Sequence, residues 1–360
     1  MLRQEVRVSR TIKLSDVAKA AGVSQGTASN AFNRPDIVRR EVRERVEAAA
    51  RTLGYAGPDP KGRLLRAGKV NAIGVATTDP LTYFFDDPYA RAVMAEISSA
   101  CDEQGAGISL VSAASDEKLA WNIQSAIVDG FILFCIEGGS RLVELTRERR
   151  LPFVALELET NDESISAIGI DNVAGARLVA RHIGELGHRR AAILSLQLAE
   201  GHVGPVDEAR IATALYRGTI DRIRGYRAGL AEFGVEPGAI PIFETENDVR
   251  SVEAGLDFFF AADPRPTAIL AMSDRAALIA LDWLRRRGLR VPEDVSVTGF
   301  DGVPEGEHSE PPLTTVTQPL KMIGRLAVDT IFEAPEHPQR RMLPVELTLR
   351  ASTGLAASEH

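Results

Sequence analysis

The sequence predicts a mixed α/β protein in which a small N-terminal three-helix domain precedes a body with two doubly wound parallel sheets. Three short amphipathic helical segments lie within residues 11–60. From residue 70 onward, short apolar runs alternate with amphipathic helices, as in parallel βα units. About ten such strands are too many for one compact sheet, so the body is expected to form two lobes.

The N-terminal helices follow from apolar spacing and from the residues that break it. Residues Leu14–Ala21 carry one apolar stripe, and Gly22 permits a tight turn before the next helix. Ser24 is placed to cap that second helix, in which Ala28 and Ala31 face inward. A third helix repeats apolar residues from position 42 to 53 and ends at a glycine.

The outward face of the second helix consists of short uncharged groups. They are Ser24, Gln25, Gly26, Thr27, Ser29, Asn30 and Asn33. Three helices with such a face on the second one form a helix-turn-helix unit suited to the major groove. Any small trihelical bundle would show the same apolar stripes, but these outward groups can also hydrogen-bond to base edges.

The charge is divided between the two ends of the chain. Residues 1–69 contain 15 Lys and Arg against 7 Asp and Glu, whereas the remaining residues contain 27 against 43. The overall net charge of −8 therefore hides a basic head and an acidic body. This asymmetry is expected when the head alone approaches phosphate.

Three motifs in the head carry a resemblance to a known family. They read DVAKAAGVS from Asp16 to Ser24, RERVEAAAR from Arg43 to Arg51, and LGY from Leu53 to Tyr55. They resemble the DNA-binding headpiece of the LacI/GalR family of transcriptional regulators. By this resemblance, Gln25, Gly26 and Asn30 read bases, while Thr27, Ser29 and Asn33 contact phosphates, and Ser24 belongs to the same DNA-binding set. Gln and Asn pair bidentately with adenine, at roughly 1–3 kcal/mol of discrimination per contact.

Residues 61–69 form a basic segment after a Pro- and Gly-containing stretch. A helix this short is unstable alone, because nucleation is costly. It resembles the family's hinge helix, which orders when paired across a dimer on DNA. The resemblance implies that Leu65 wedges into a minor-groove step, with Arg63 as a flanking cation. A flexible basic linker is the alternative interpretation.

The body is predicted to alternate strands and helices. The expected strands are 72–76, 108–112, 130–134, 152–156, 165–170, 191–195, 240–243, 268–271, 295–299, 314–318 and 343–350. The expected helices are 91–104, 119–128, 142–150, 175–186, 220–233, 249–262, 276–287 and 319–332. Segment 200–219 receives no assignment.

The predicted domains are a headpiece at 11–60, a hinge at 61–69 and an effector-binding and dimerisation domain at 70–360. The resemblance implies a periplasmic-binding-protein-like body. Its N-lobe comprises about 70–170 and 319–345, and its C-lobe about 171–317 and 346–360. Ligands of such sheets bind at the carboxyl ends of strands, in the cleft between lobes.

Polar residues just past the expected strand ends match the family's ligand positions. They are Glu157, Arg222, Ser273, Asp274, Asp301 and Gln318, with aromatic cover from Tyr83, Phe85 and Phe300. Carboxylates, amides and guanidinium suit vicinal hydroxyls, because each makes two parallel hydrogen bonds. A sugar effector is therefore expected. Asp274 could instead cap a helix, and Asp301 could brace a turn.

The sequence thus predicts a DNA-binding regulator, with repression the expected action, that binds a pseudo-palindromic operator as a homodimer under the control of a small ligand. The alternatives are a purine or other metabolite as effector, or a solute-binding or enzymatic role for the body. No Walker A, G-x-S-x-G or dinucleotide motif is present, so neither enzyme activity nor a cofactor is expected. The six histidines and two cysteines show no metal-ligand spacing. Without a signal peptide or an 18-residue apolar run, the expected location is cytoplasmic, on the nucleoid and away from membranes.

Overall fold

A computed structural model describes residues 12–57, 69–113, 116–134, 140–156 and 162–356. The chain divides into two compact units, Met1–Val70 and Asn71–His360. Most of the predicted hinge, with Arg63 and Leu65, lies outside the described residues, and so does Glu157.

The first unit contains three α-helices, α1 (Leu14–Ala21), α2 (Gln25–Asn33) and α3 (Arg40–Leu53). Gly22 and Gly54 end α1 and α3 in the left-handed conformation, at φ 63° and 71°. A 3-10 turn at Pro35–Ile37, which the apolar pattern did not predict, joins α2 to α3. The small core of this unit is built from Val17, Ala18, Ala21, Ala28, Ala31, Val46 and Ala50.

The first sheet of the body has six strands and defines the first lobe. They are β1 (Ala72–Thr77), β2 (Gly107–Ser112), β3 (Gly130–Phe134), β4 (Phe153–Leu156), β5 (Ala167–Ile170) and β12 (Arg340–Leu343). Their order is β12-β5-β4-β3-β1-β2, and every pairing is parallel. Strand β3 is buried along its whole length, as expected for a strand covered on both faces.

The second sheet has seven strands and defines the second lobe. They are β6 (Ala191–Ser195), β7 (Gly204–Pro205), β8 (Ile242–Glu244), β9 (Ala268–Ala271), β10 (Ser296–Asp301), β11 (Thr314–Thr317) and β13 (Glu346–Thr348). Their order is β13-β11-β10-β9-β6-β8-β7. The two edge strands, β7 and β13, are antiparallel to their neighbours, so this sheet is mixed rather than wholly parallel.

The single strand predicted at 343–350 is wrong, because the structure has two short strands there. β12 pairs with β5 in the first sheet, and β13 pairs with β11 in the second. Pro344 separates them because proline has no backbone N–H to donate to a ladder. The unassigned segment 200–219 supplies β7 and a short helix.

Helices flank both sheets. In chain order they are α4 (Tyr83–Asp86), α5 (Pro88–Gln104), α6 (Asp116–Ser125), α7 (Ser140–Glu148), α8 (Asn172–Glu185), α9 (Glu208–Ala212), α10 (Arg217–Ala231), α11 (Val249–Phe260), α12 (Asp274–Arg286), α13 (Pro304–Glu307) and α14 (Leu320–Glu333). None of the helices that the structure describes is long and apolar enough to cross a bilayer.

Close packing of α8 on α10 sets the position of the helix that carries Arg222. A Cβ on Gly225 would lie 2.4 Å from the carbonyl oxygen of Val173, and one on Gly229 would lie 2.5 Å from Cβ of Ala180. Only glycine allows this approach. The chain also passes between the two sheets after β5, after β11 and after β12, and these passages bring the carboxyl ends of the two sets of strands toward one cleft.

Candidate DNA-contacting face and effector cleft

The N-terminus of α2 is held by Ser24. Its Oγ accepts from the backbone N–H of Thr27 at 3.0 Å and lies 2.8 Å from Thr27 Oγ1. Ala28 and Ala31 are buried against the other helices, which turns the opposite face of α2 outward. That face presents exposed Ser24 and Gln25 and half-buried Asn30.

Two of the predicted DNA-binding residues on α2 are linked to each other. Asn33 donates through Nδ2 to Ser29 Oγ at 3.1 Å, which positions both groups along the helix. Gly26 is exposed, and a Cβ there would meet only Ser24 Oγ, at 3.8 Å. The glycine is therefore not required by packing inside the unit, and it leaves a gap in the polar face.

A cleft of about 280 Å³ lies between the two lobes of the second unit. The first lobe contributes loop and helix residues that follow β1, namely Thr78, Asp79, Tyr83, Asp87 and Tyr89. The second lobe contributes a larger set that includes Glu200, Thr219, Arg222, Asn247, Ser273 and Asp301. The volume suits a small polar molecule held from both sides.

Arg222 is the cation that lines this cleft. Its side chain lies flat over Phe300, with Cζ 3.8 Å from the ring centroid. Nε donates to Asn172 Oδ1 at 2.8 Å, and Nη1 donates to the carbonyl of Met272. Within the described residues Nη2 has no hydrogen-bond partner, so the guanidinium is fixed while one donor nitrogen remains available to a ligand.

Asp301 lies close to Arg222 at the end of β10. Its Oδ1 accepts from Gln318 Nε2 at 3.0 Å, and its Oδ2 accepts from the backbone N–H of Asp274 at 3.2 Å. Burial raises the pKa of Asp301 well above its ordinary value; the charges of Asp274 and Asp87 add to the increase, and Arg222 opposes it. A carboxyl group in this setting can donate as well as accept.

Ser273 lines the cleft from the second lobe and also caps the N-terminus of a helix. Its Oγ accepts from the backbone N–H of Ala276 at 3.0 Å, which caps α12, and donates to Asn247 Oδ1 at 2.6 Å. Tyr83 lines the opposite wall, with its ring 6.1 Å from that of Phe134. The structure thus gathers four of the predicted ligand residues, Tyr83, Arg222, Ser273 and Asp301, in one cleft.

Four other predicted ligand residues do not line the cleft, and their role as ligand contacts stays a prediction. Asp274 is fully buried, and its Oδ2 accepts from the N–H groups of Gly302 and Val303 at 2.8 Å each. Phe300 is covered by Arg222, and Gln318 lies behind Asp301, where it also accepts from the Tyr89 hydroxyl.

Phe85 is the fourth. Its side chain is 63% exposed, on a helical turn that directs Phe84 rather than Phe85 inward.

Several cleft residues were missed by sequence reasoning. Asp79 and Asp87 follow β1, and Asn247 follows β8, so the rule that ligands meet the carboxyl ends of strands could have found them. Glu200 and Thr219 could not be found this way, because they belong to the segment that received no assignment.

That segment is anchored by a buried ion pair. Glu244, fully buried, accepts from Arg210 Nη2 at 2.6 Å and Nε at 2.8 Å, and from the N–H of Leu198 at 2.7 Å. Burial raises the pKa of Glu244, but the hydrogen bonds and charge of Arg210 outweigh this and lower it. The pair holds 196–216 against β8 and so fixes one side of the cleft.

Comparison with known proteins agrees with this architecture. Residues 13–57 match the family described as bacterial regulatory proteins, lacI family, and residues 180–353 match the periplasmic binding protein-like domain. An HTH-type transcriptional regulator of Mycobacterium tuberculosis is 36% identical over 352 residues, 96% of this chain and 98% of that protein. The chain belongs to the lacI family.

Two solved structures of this family show the same fold over almost the whole chain. A complex of the transcriptional regulator CelR with cellobiose has a TM-score of 0.68 and 28% identity, covering 95% of this chain and 99% of that one. A lac repressor dimer bound to operator and the anti-inducer ONPF has a TM-score of 0.75 and 26% identity, covering 96% and 100%. This lacI-family chain is a DNA-binding transcriptional regulator whose second unit is a ligand sensor.

Proposed function

We propose that the chain represses transcription at a pseudo-palindromic operator, as a homodimer, under the control of a carbohydrate bound in the cleft. The observation that carries the proposal is the guanidinium of Arg222, which lines the cleft, stacks on Phe300 and keeps one donor nitrogen without a hydrogen-bond partner among the described residues. A planar donor beside carboxyl groups matches vicinal hydroxyls. The solved CelR–cellobiose complex supports a sugar as the class of effector.

The proposed contacts come from both lobes. Arg222, Asp301 and Ser273 bind hydroxyls from the second lobe, and Tyr83 covers an apolar ring face from the first. Thr219 joins them, since its side chain is 3% exposed, lines the cleft, and makes no hydrogen bond within the described residues. Glu157 is part of the proposed set on sequence grounds alone.

On the DNA side, we assign base reading to Gln25 and Asn30 on α2, and phosphate contacts to Thr27, Ser29 and Asn33. Ser24 orders the helix start. The lac repressor dimer bound to operator supports two such heads on one duplex. Leu65 and Arg63 are proposed to enter the minor groove, and Leu65→Ala is expected to reduce operator selectivity in a gel shift.

Regulation then follows from binding that favours one arrangement of the two lobes. A ligand can shift DNA affinity only through its different affinity for the two states. We propose that the cleft binds and does not catalyse, since the carboxyl group of Asp301, beside Arg222, is engaged with a backbone N–H and an amide donor. The expected location is the cytoplasm, where operator DNA is available.

A two-step experiment tests this function. Thermal shift of the full-length protein against neutral sugars, purine bases and nucleosides is expected to give stabilisation by a sugar, because a ligand that binds the folded state stabilises it by mass action. Gel shifts with and without that sugar should then show a changed operator affinity. Stabilisation by a purine with no response to any sugar contradicts the carbohydrate assignment.

Variants on α10 provide a matched pair. Arg222→Lys removes the planar fork and should weaken sugar binding at least tenfold. Arg224→Ala is the control, because Arg224 is 60% exposed on the same helix and pairs only with Asp221 among the described residues. Equal losses in both variants would point to a fault in folding rather than in recognition.

A further inference from the structure

The charge of the cleft is strongly unbalanced. Five carboxyl groups line it, on Asp79, Asp87, Glu200, Glu246 and Asp301, against two guanidinium groups among the described residues: that of Arg222, which lines the cleft, and that of Arg275, which pairs with Asp87. Arg222 has two of its three nitrogens engaged by Asn172 and Met272. A ligand that carries a phosphate or carboxylate would meet a field of its own sign in a confined space.

Three of these carboxyl groups face each other from the two lobes. Asp79 and Asp87 belong to the first lobe and Glu200 to the second. Burial raises the pKa of Asp79, and the charges of Asp87 and Glu200 raise it further, so the three groups lie close enough to repel. Within the described residues, the carboxylates of Asp79 and Glu200 accept no hydrogen bond and form no ion pair.

A buried hydroxyl beside these groups indicates that the cleft accommodates an organic molecule. Thr219 is more than nine-tenths buried and lines the same cavity, without a hydrogen-bond partner among the described residues. In the part of the chain that the structure describes, no three His, Cys, Asp or Glu side chains are arranged to hold a metal ion. A cation that also carries hydrogen-bonding groups would use both the carboxylates and this hydroxyl.

We propose that the effector carries a protonated amine, as in an aminated sugar, and that this ammonium lies between Asp79 of the first lobe and Glu200 of the second, because Asp87 is already paired with Arg275. The inference rests on the carbohydrate function proposed above and specifies the charge of the ligand. An ammonium donates three hydrogen bonds, so it can serve carboxylates of both lobes at once. Its arrival replaces the repulsion between Asp79 and Glu200 with attraction to a shared cation and so favours the closed cleft.

Matched sugar pairs test the charge. Binding of D-glucosamine, D-galactosamine and D-mannosamine to the full-length protein is compared with that of D-glucose, D-galactose and D-mannose by calorimetry, with N-acetyl-D-glucosamine and D-glucose 6-phosphate added. We expect at least a tenfold tighter Kd for the amine in one or more pairs, loss of that gain on N-acetylation, and no binding of the phosphate.

Asp79→Asn should weaken binding of the amine at least tenfold relative to the matched neutral sugar, so that the preference for the amine is lost. Asp102→Asn is the matched control, because Asp102 is exposed on α5 outside the cleft. Neutral sugars that bind as tightly as their amines, or an amine preference that survives Asp79→Asn, overturn this inference but leave the carbohydrate function standing. If no sugar of either charge binds, both fall.

Discussion

The carboxylate of Asp87 and the guanidinium of Arg275 join the two lobes across the cleft, with Oδ2 3.4 Å from Nη1. Asp87 is 2% exposed, and its other oxygen caps α5 by accepting from the N–H groups of Tyr89 and Ala90. Oδ2 also lies 3.4 Å from Asn247 Nδ2. One carboxylate thus orders a helix of the first lobe and holds two side chains of the second.

This bridge predicts a measurable coupling between the lobes. Asp87→Asn keeps the cap oxygen but removes the charge, and Arg275→Ala removes the partner. In a double-mutant cycle on the free energy of unfolding, we expect a coupling energy of about 0.5–1.5 kcal/mol, because one member is buried and the other is not. Arg285→Ala, at an exposed pair with Asp282, is the control. Additive effects of the two cleft variants would show that the bridge contributes nothing.

Substitution at Gly26 separates the stability of the headpiece from its reading of DNA. Gly26→Ala should stabilise α2 by about 1 kcal/mol, since a Cβ there meets open space and alanine favours a helix. The new methyl group points outward, so operator preference should change in a binding-site selection. Hydrogen exchange of the α2 amides in the full-length protein measures the first effect.

The matched substitution for Gly26 is Gly22→Ala. Gly22 has φ 63°, which strains any residue with a Cβ, so this change should weaken the unit by about 1 kcal/mol. Stabilisation by both changes would contradict the helix boundary assigned between α1 and α2.

Asp274 is expected to stabilise the fold rather than to contact the ligand. Asp274→Ala removes the oxygen that two backbone N–H groups need, and should lower the free energy of unfolding by about 2–3 kcal/mol. Burial raises the pKa of Asp274 to about 6, although hydrogen bonds from Thr315, Val303 and Gly302 oppose the shift. Chemical denaturation measures the loss. The exposed Asp282→Ala is the control, and its free energy of unfolding is expected to stay within about 0.5 kcal/mol of that of the parent protein, as for most surface changes. A loss of sugar affinity without a loss of stability would restore the ligand role first expected of Asp274.

His188 predicts a stability that depends on pH. The ring is 2% exposed, with Nδ1 2.9 Å from Thr267 Oγ1 and Nε2 3.0 Å from the Gly354 carbonyl oxygen. Burial lowers its pKa, and the charges of His182 and Arg189 add to this, while the carbonyl opposes it. The unfolded chain therefore takes up a proton first, so the stability from His188 is present above the ordinary histidine value and is lost as the pH falls below it.

Denaturation midpoints between pH 7.5 and 5 should fall less in His188→Gln than in the parent protein. The raised pKa values of Asp274 and Asp301 act in the opposite direction over the acid part of this range, since those groups favour the protonated form when folded. The difference between the two proteins isolates the histidine. Parallel pH profiles would show that His188 does not titrate on unfolding.

The spacing of apolar residues was sufficient to predict the fold class and several of the strands. The mixed α/β class with a helical head and two sheets is confirmed, and β3, β6 and β9 begin and end at the predicted residues. Such patterns are local, because the spacing of apolar residues within a segment indicates both its secondary structure and its buried face. The domain and lobe boundaries, and the roles of the DNA-facing and cleft residues, stay predictions.

The sequence could not determine the features that depend on distant residues. The strand expected at 343–350 is two strands because Pro344 lies where the chain passes from one sheet to the other, and the sequence does not show which partner strand each half will meet. Asp274 was expected to contact the ligand because it follows a strand. In the structure, its carboxylate accepts hydrogen bonds from the backbone N–H groups of Gly302 and Val303.

By itself, the sequence determined that a basic helix-turn-helix head precedes an acidic two-sheet body, because charge and apolar spacing follow directly from the order of the residues. Only the tertiary structure decided which polar groups share the cleft. Asp79 lies more than a hundred residues before the helix that carries Thr219 and Arg222, and their meeting depends on how the two sheets face each other. Burial, hydrogen-bond competition and the field of neighbouring charges are properties of that arrangement, so they exist only in the folded chain.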